Sequence, residues 1–168
     1  MSGDAQQTSM SIEAADFRRI LGHFATGVTV VAASEPGGAP RGLTANAIAS
    51  VSLDPPLVLV CVERDADTHD VILGAGAFAI SILGEDGEEL ARRFATYPAG
   101  RKFEGVAYRE EATGSPVLEA ALGWIDCRLH THHEGGDHTI CVGEVVAGDA
   151  GEGAPLLYYR GGYGRLSP

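Results

Sequence analysis

Lysine is almost missing from this 168-residue sequence, and acidic residues outnumber basic ones. Twelve lysines and arginines stand against 23 aspartates and glutamates, which gives a formal net charge of −11, and Lys102 is the single lysine. Proteins that bind nucleic acids or anionic membranes through surface charge usually carry the opposite excess. The composition therefore predicts neither a nucleic-acid partner nor a membrane partner.

Long apolar runs and a leader-like segment are also missing. No window approaches the roughly 18 consecutive apolar residues of a transmembrane helix. The N-terminal residues are polar and lack the basic-then-apolar order of a signal peptide. We therefore expect a cytoplasmic protein in which the cysteines, Cys61, Cys127 and Cys141, are reduced and buried.

Several catalytic and ligand-binding motifs are absent, among them the P-loop, G-x-S-x-G and C-x-x-C. The segment from Gly74 to Ala79 fits G-x-G-x-x-A, but it follows a helix-like stretch and opens a strand, the reverse of a dinucleotide-binding turn. No standard zinc spacing fits the histidines His130, His132, His133 and His138. We therefore expect no bound metal.

What the sequence does contain is a pattern of short strands and turns with a few helices. We predict helices before Gly27 (with Ser11 as N-cap), over 69–73 and over 85–94. We predict strands over 28–33, 42–52, 57–62 (buried on both faces), 78–83, 122–133, 137–147 and 155–160, the last closing the sheet. A turn at Gly135-Gly136 would make a hairpin of the two long strands. This pattern is typical of a mainly β fold, a closed antiparallel barrel capped by helices.

The segment from Gly42 to Pro56 is rich in small residues that carry hydroxyl or amide groups. Small side chains let a flat ligand lie against the backbone, while Thr, Asn and Ser can bond to its polar edge. The segment therefore indicates a ligand groove. An edge strand with one polar face explains the same residues equally well.

Five stretches together resemble the short-chain flavin reductases, which supply reduced flavin to two-component monooxygenases. They are Phe17 to Val31, Gly42-Leu43-Thr44-Ala45-Asn46 through Pro55-Pro56, Lys102-Phe103, Gly136-Asp137-His138-Thr139, and Leu157 to Tyr163. The resemblance runs from about Ala14 to Leu166. It implies a flavin-binding split barrel over 14–168, a flexible tail over 1–13, and a homodimer. It also implies hydride transfer from NADH or NADPH to FMN or FAD, and a separate monooxygenase as partner.

Carried over by position, the resemblance implies a role for each of twelve residues. Thr44, Ala45 and Asn46 would contact the isoalloxazine edge, and Ser50, Val51 and Ser52 would line the ring and the ribityl chain. Arg64 and Thr68 would approach the phosphate, and Lys102 and Phe103 would complete that end. His138, as the catalytic residue, and Tyr163 would lie on the open face where nicotinamide stacks.

One position departs from the family pattern, and other functions fit the same fold. Many relatives carry a hydroxyl residue where this chain has Ala66, and the flanking Asp65 and Asp67 would repel a phosphate. The choice between FMN and FAD therefore stays open.

The alternatives to a flavin reductase are an FMN-bound electron carrier, a reductase of another acceptor, and a plain interaction barrel.

Overall fold

The computed structural model describes residues 11–167 and shows a mainly β protein with three α-helices in that range. The helices are α1 (Ala14–Leu21), α2 (His69–Ala75) and α3 (Glu88–Thr96), followed by a 3₁₀ turn over Ala99–Arg101. None of the helices between residues 11 and 167 has the length and apolar character needed to cross a bilayer.

The described residues form twelve strands. They are β1 (Thr26–Gly27), β2 (Thr29–Ala33), β3 (Arg41–Ala45), β4 (Ile48–Leu53), β5 (Pro56–Glu63), β6 (Ala77–Leu83), β7 (Tyr108–Glu110), β8 (Pro116–Leu118), β9 (Ala121–Gly135), β10 (His138–Ala150), β11 (Leu157–Tyr159) and β12 (Gly162–Gly164).

Seven of these strands form one antiparallel sheet in the order β3-β2-β6-β9-β10-β5-β4. Its two edge strands, β3 and β4, are consecutive in the chain and are separated only by Asn46 and Ala47. A link of two residues spans at most about 11 Å between the flanking Cα atoms. The end of β3 and the start of β4 therefore lie close together at this corner.

Two apolar clusters fill the molecule, one on each face of β2. Val31 points into a cluster with Val60, Ile72 and Phe78, so that α2 closes one side. Val30 points the other way, into a cluster with Phe94 that α3 closes. Because alternate side chains of a strand point to opposite faces, β2 serves both clusters and is buried throughout. This packing fixes α3 beside the end of β3.

Five local predictions were wrong in detail. The predicted strand over 42–52 breaks at Asn46-Ala47, because β3 and β4 lie on opposite edges of the sheet. The stretch 57–62 is buried on one face only, because the opposite face, with Leu59 and Cys61, borders open cavities. The helix α1 has Glu13 as its N-cap and Gly22 as its C-cap, so that neither Ser11 nor Gly27 bounds it.

The other two errors concern turns and strand order. The hairpin turn is Gly136-Asp137, one residue later than predicted, and Gly136 has φ +73°. The strand predicted over 155–160 does not close the large sheet, because β11 pairs with β1 and β12 in a separate three-stranded sheet. Residues 1–10 of the predicted tail lie outside the described residues.

Candidate active site

The corner between β3 and β4 is held in place from three sides. Thr44 Oγ1 donates to the carbonyl of Ala91 in α3 at 2.6 Å. Asn46 Nδ2 donates to Thr26 Oγ1 at 3.2 Å, and the Cys61 N–H donates to the Ala47 carbonyl at 3.0 Å. Since α3, β1 and β5 each bond to this corner, the backbone over residues 44–47 is a fixed surface.

A cavity of about 570 Å³ lies along this surface. It is lined by Leu43, Thr44, Ala45, Asn46, Ala47, Cys61, Glu63, Asp65, Ala66, Asp67, Phe94, Ala95, Tyr97, Ala99, Lys102 and His138. Five of these residues are alanines, which leave the peptide groups accessible to a flat ligand. The volume lies within the range of about 300–1,000 Å³ that small-molecule sites occupy.

Lys102 supplies the cavity wall with a buried cation. Its side chain is almost fully covered, and Nζ lies 3.0 Å from the Gly42 carbonyl and 3.4 Å from Asp67 Oδ1. A buried ammonium needs such partners because desolvation penalises its charge. Glycine at position 42 lets the Phe94 ring pack against this strand, since a Cβ there would lie 2.8 Å from the ring.

His138 stands at the first position of β10, directly after the hairpin turn. Its side chain is partly exposed and lines the cavity, and Nδ1 lies 2.7 Å from Asp137 Oδ1. The hydrogen bond from His138 lowers the pKa of the Asp137 carboxyl below its usual range. On the next residue, Thr139 Oγ1 bonds with His69 Nε2 at 2.8 Å, which ties this end of β10 to α2.

Tyr163 lines a second, smaller cavity of about 210 Å³ that shares Thr44 and Asn46 with the first. Its ring lies 5.4 Å from the Tyr158 ring, and the Arg92 guanidinium stands 5.0 Å from its centroid. Burial raises the pKa of the Tyr163 hydroxyl, which therefore stays protonated at neutral pH. The arrangement presents an aromatic wall beside the larger cavity.

The structure brings only some of the predicted residues to these cavities. Thr44, Ala45, Asn46, Lys102 and His138 line the larger cavity, and Tyr163 lines its neighbour. The residues outside both linings are Ser50, Val51, Ser52, Arg64, Thr68 and Phe103. The three β4 residues lie on an edge strand, and Phe103 packs edge-to-face on Phe94 with 4.9 Å between ring centroids. Their roles in binding stay predictions.

Sequence reasoning missed several lining residues. Cys61 and Glu63 reach the cavity because they occupy the face of β5 opposite to the buried valines, and alternation along the strand could have shown this. Tyr97, just after α3, also lines the cavity, and Arg92, outside both linings, stands over the Tyr163 ring. The last two depend on how α3 packs, for which the sequence carries no local signal.

A family model described as a flavin reductase like domain matches residues 21–167. The chain belongs to this family. The predicted family is therefore confirmed, and with it the prediction of a reductase. Members of the flavin reductase family with curated functions and with solved structures match nearly the full length of this chain.

Two curated relatives and one solved structure illustrate the match. The chain is 45% identical to the reductase component of the 4-nitrophenol 4-monooxygenase/4-nitrocatechol 2-monooxygenase of Rhodococcus opacus, over 97% of this chain and 86% of the relative. It is 43% identical to the FMN reductase (NADH) of Agrobacterium fabrum, over 90% of this chain and 85% of the relative. The structure of the NADH:FAD oxidoreductase of Streptomyces globisporus C-1027 matches with a TM-score of 0.85 and 39% identity, over 94% of this chain and 98% of that one.

The residues present fit the ring system of a flavin. Ala45 and Ala47 give the cavity a floor of small side chains against which a flat ring can lie, and Asn46 supplies an amide for the ring's polar edge. The donor set suits a phosphate less well. Three carboxylates, of Glu63, Asp65 and Asp67, line the same cavity.

Proposed function

We propose that this flavin reductase transfers a hydride from NADH or NADPH to FMN or FAD in the larger cavity and releases the reduced flavin to a separate monooxygenase. The observation that carries this proposal is the 570 Å³ cavity on the fixed backbone of residues 44–47, with His138 in its lining. A flavin bound there would supply the hydride-accepting chemistry. The names of the relatives support both the donor and the acceptor.

In this proposal the protein holds the flavin ring and orients the nicotinamide. The alanine-rich floor places the ring flat, and the Thr44 and Asn46 bonds keep that floor from moving. His138, steadied by Asp137, orients the nicotinamide, and Tyr163 forms the wall beside it. Effective catalysis between two bound molecules depends mainly on such positioning.

We also propose a closed split barrel and a homodimer. The two-residue link between β3 and β4 supports closure, because it draws the two edges of the large sheet together.

The homodimer is supported by α1, which has no buried residue and exposes large apolar side chains. On α1 and its flank these are Phe17, Ile20, Leu21 and Phe24, and on β4 they are Val51 and Leu53. Contiguous exposed apolar surface is typical of protein–protein interfaces. The single domain over 14–168, the flexible tail and the cytoplasmic location stay predictions.

Oxidation of NADH, followed by its absorbance, tests the function with FMN, FAD and riboflavin as acceptors and with NADPH in parallel. We expect oxidation that depends on added flavin. Ala47→Trp fills the cavity, and we expect it to abolish the reaction, because Ala47 lies in the cavity floor. Ala39→Trp adds the same side chain at an exposed position outside the cavity lining, and we expect it to leave the rate unchanged.

Two outcomes contradict the proposal. A protein that stays yellow through purification but does not oxidise NADH with added flavin is the electron carrier instead. Full activity of Ala47→Trp would place the reaction outside this cavity.

A further inference from the structure

Each contact predicted for the flavin phosphate is missing or already engaged in this chain. Ala66 carries no hydroxyl, and the Thr68 side chain is fully buried, without a hydrogen-bond partner for Oγ1 within residues 11–167. Arg64 Nη2 lies 3.4 Å from Glu134 Oε1. Lys102 Nζ lies 3.4 Å from Asp67 Oδ1.

Lys102 is the decisive cation, because it lines the cavity and Arg64 does not. Only 7% of Lys102 is exposed, so solvent screens its charge poorly and its nearest partners determine its field. Asp67 compensates that charge, and the Gly42 carbonyl takes a second ammonium hydrogen at 3.0 Å. A phosphate at the cavity would therefore meet an ion pair rather than a free cation.

The remaining charges of the lining also oppose a phosphate. Asp65 and Glu63 line the cavity together with Asp67, so that three carboxylates face one ammonium. A phosphate group binds well only where cations or free N–H groups outweigh such repulsion. The isoalloxazine ring carries no such charge, and its contacts with the floor do not depend on these groups.

We propose that Asp67 is a specificity-determining residue: its carboxylate compensates the positive charge of Lys102, so that the phosphate of a flavin adds nothing to its affinity. The inference rests on the proposed function and adds the acceptor class: the cavity selects the isoalloxazine ring, and riboflavin, FMN and FAD bind with similar affinity. Asp67→Asn keeps the size of the side chain but frees the charge of Lys102. The variant therefore becomes selective for flavins that carry phosphate.

Isothermal titration calorimetry of the purified full chain with riboflavin, FMN and FAD tests this inference without relying on turnover. For the unchanged protein we expect dissociation constants within about threefold of one another. For Asp67→Asn we expect FMN and FAD to bind at least about fivefold more tightly, with riboflavin unchanged, because one nearby charge is removed. We expect Asp67→Asn combined with Lys102→Met to lose this gain.

Asp86→Asn is the matched control, because it removes the same charge from an exposed carboxylate that pairs with Arg165 and does not line the cavity. We expect it to leave all three dissociation constants unchanged. Binding of FMN at least about tenfold tighter than riboflavin in the unchanged protein would overturn the inference, as would an Asp67→Asn variant without phosphate selectivity. Failure of all three flavins to bind would remove the proposed function itself, and the inference with it.

Discussion

At the scale of single residues, His138 illustrates how one backbone feature places the side chain that we predict to be catalytic. Gly136 adopts φ +73°, which favours glycine, and thereby turns the chain so that β10 starts at His138. Asp137 then holds the ring from one side at 2.7 Å. The resemblance to the family indicated this residue, and the turn beside it in the chain indicated its place at the start of a strand.

We expect His138→Ala to raise the KM for NADH by about tenfold while the flavin dissociation constant changes less than about twofold, because one oriented hydrogen bond to the donor is lost. Steady-state kinetics and calorimetry measure the two quantities. His132→Ala, at an exposed position of the same hairpin, is the control. An unchanged KM for NADH would show that His138 does not orient the nicotinamide.

The three cysteines differ in burial, and we therefore expect them to differ in reactivity. Burial raises the pKa of Cys127 to about 12, with a contribution from Asp126, and raises that of Cys141 to about 11. Thiolates are the reactive species, and a raised pKa lowers their fraction at any pH below it. At about pH 8 we therefore expect Cys61, which is partly exposed in the cavity lining, to react first with iodoacetamide.

Mass spectrometry of the labelled protein checks this order. We expect the other two cysteines to be labelled only after unfolding, and bound FMN to slow the labelling of Cys61. Rapid labelling of Cys127 in the folded protein would contradict the burial of that side chain.

At the scale of elements, sequence periodicity predicted the strands that alternate or are wholly apolar, namely β2, β5, β6, β9 and β10, within a few residues. It did not separate β3 from β4. Both have small, polar residues, and the break at Asn46-Ala47 arises because the two strands pair with different neighbours, β2 and β5. It also placed β11 in the wrong sheet. Pairing partners depend on contacts between distant residues, for which the local pattern carries no information.

Gly143 lies at a bulge in the β9–β10 ladder and lets β10 pack closely against Phe78 and Cys127. A Cβ at this position would lie 2.6 Å from Phe78 Cζ and 2.8 Å from Cys127 Cβ. We expect Gly143→Ala to lower the free energy of unfolding by about 1–3 kcal/mol, the usual cost of overpacking a core.

Urea denaturation measures the change in the free energy of unfolding. Gly164→Ala is the control, since a Cβ there meets nothing within 4 Å. Equal stability of the two variants would mean that β9 and β10 move apart at little cost.

At the scale of the whole molecule, some predicted site residues line the cavity and others lie outside it. The residues that follow one another at the corner, Thr44, Ala45 and Asn46, do line the cavity. Ser50 and Val51 are exposed on the edge strand β4, and Thr68 is fully buried directly before α2. A chain position matched to a family motif identifies a residue, but not the side-chain environment that packing creates around it.

The proposed homodimer would cover the apolar face of α1. We expect Phe24→Asp to convert the dimer into a monomer, because a charge would replace a large apolar side chain that is 73% exposed in the single chain. Size-exclusion chromatography with light scattering measures the mass. Leu166→Asp, an equal change at another exposed apolar position, is the control. A protein that is monomeric before any substitution would contradict the proposal.

Ala45 and Ala47, in the floor of the larger cavity, carry no side chain beyond Cβ. Alanine scanning would therefore detect almost no effect at these positions, because their side chains are already alanine. Mutational surveys of this enzyme should use enlarging substitutions at these positions. A map of tolerated residues would then show the site as a stretch that accepts only small amino acids.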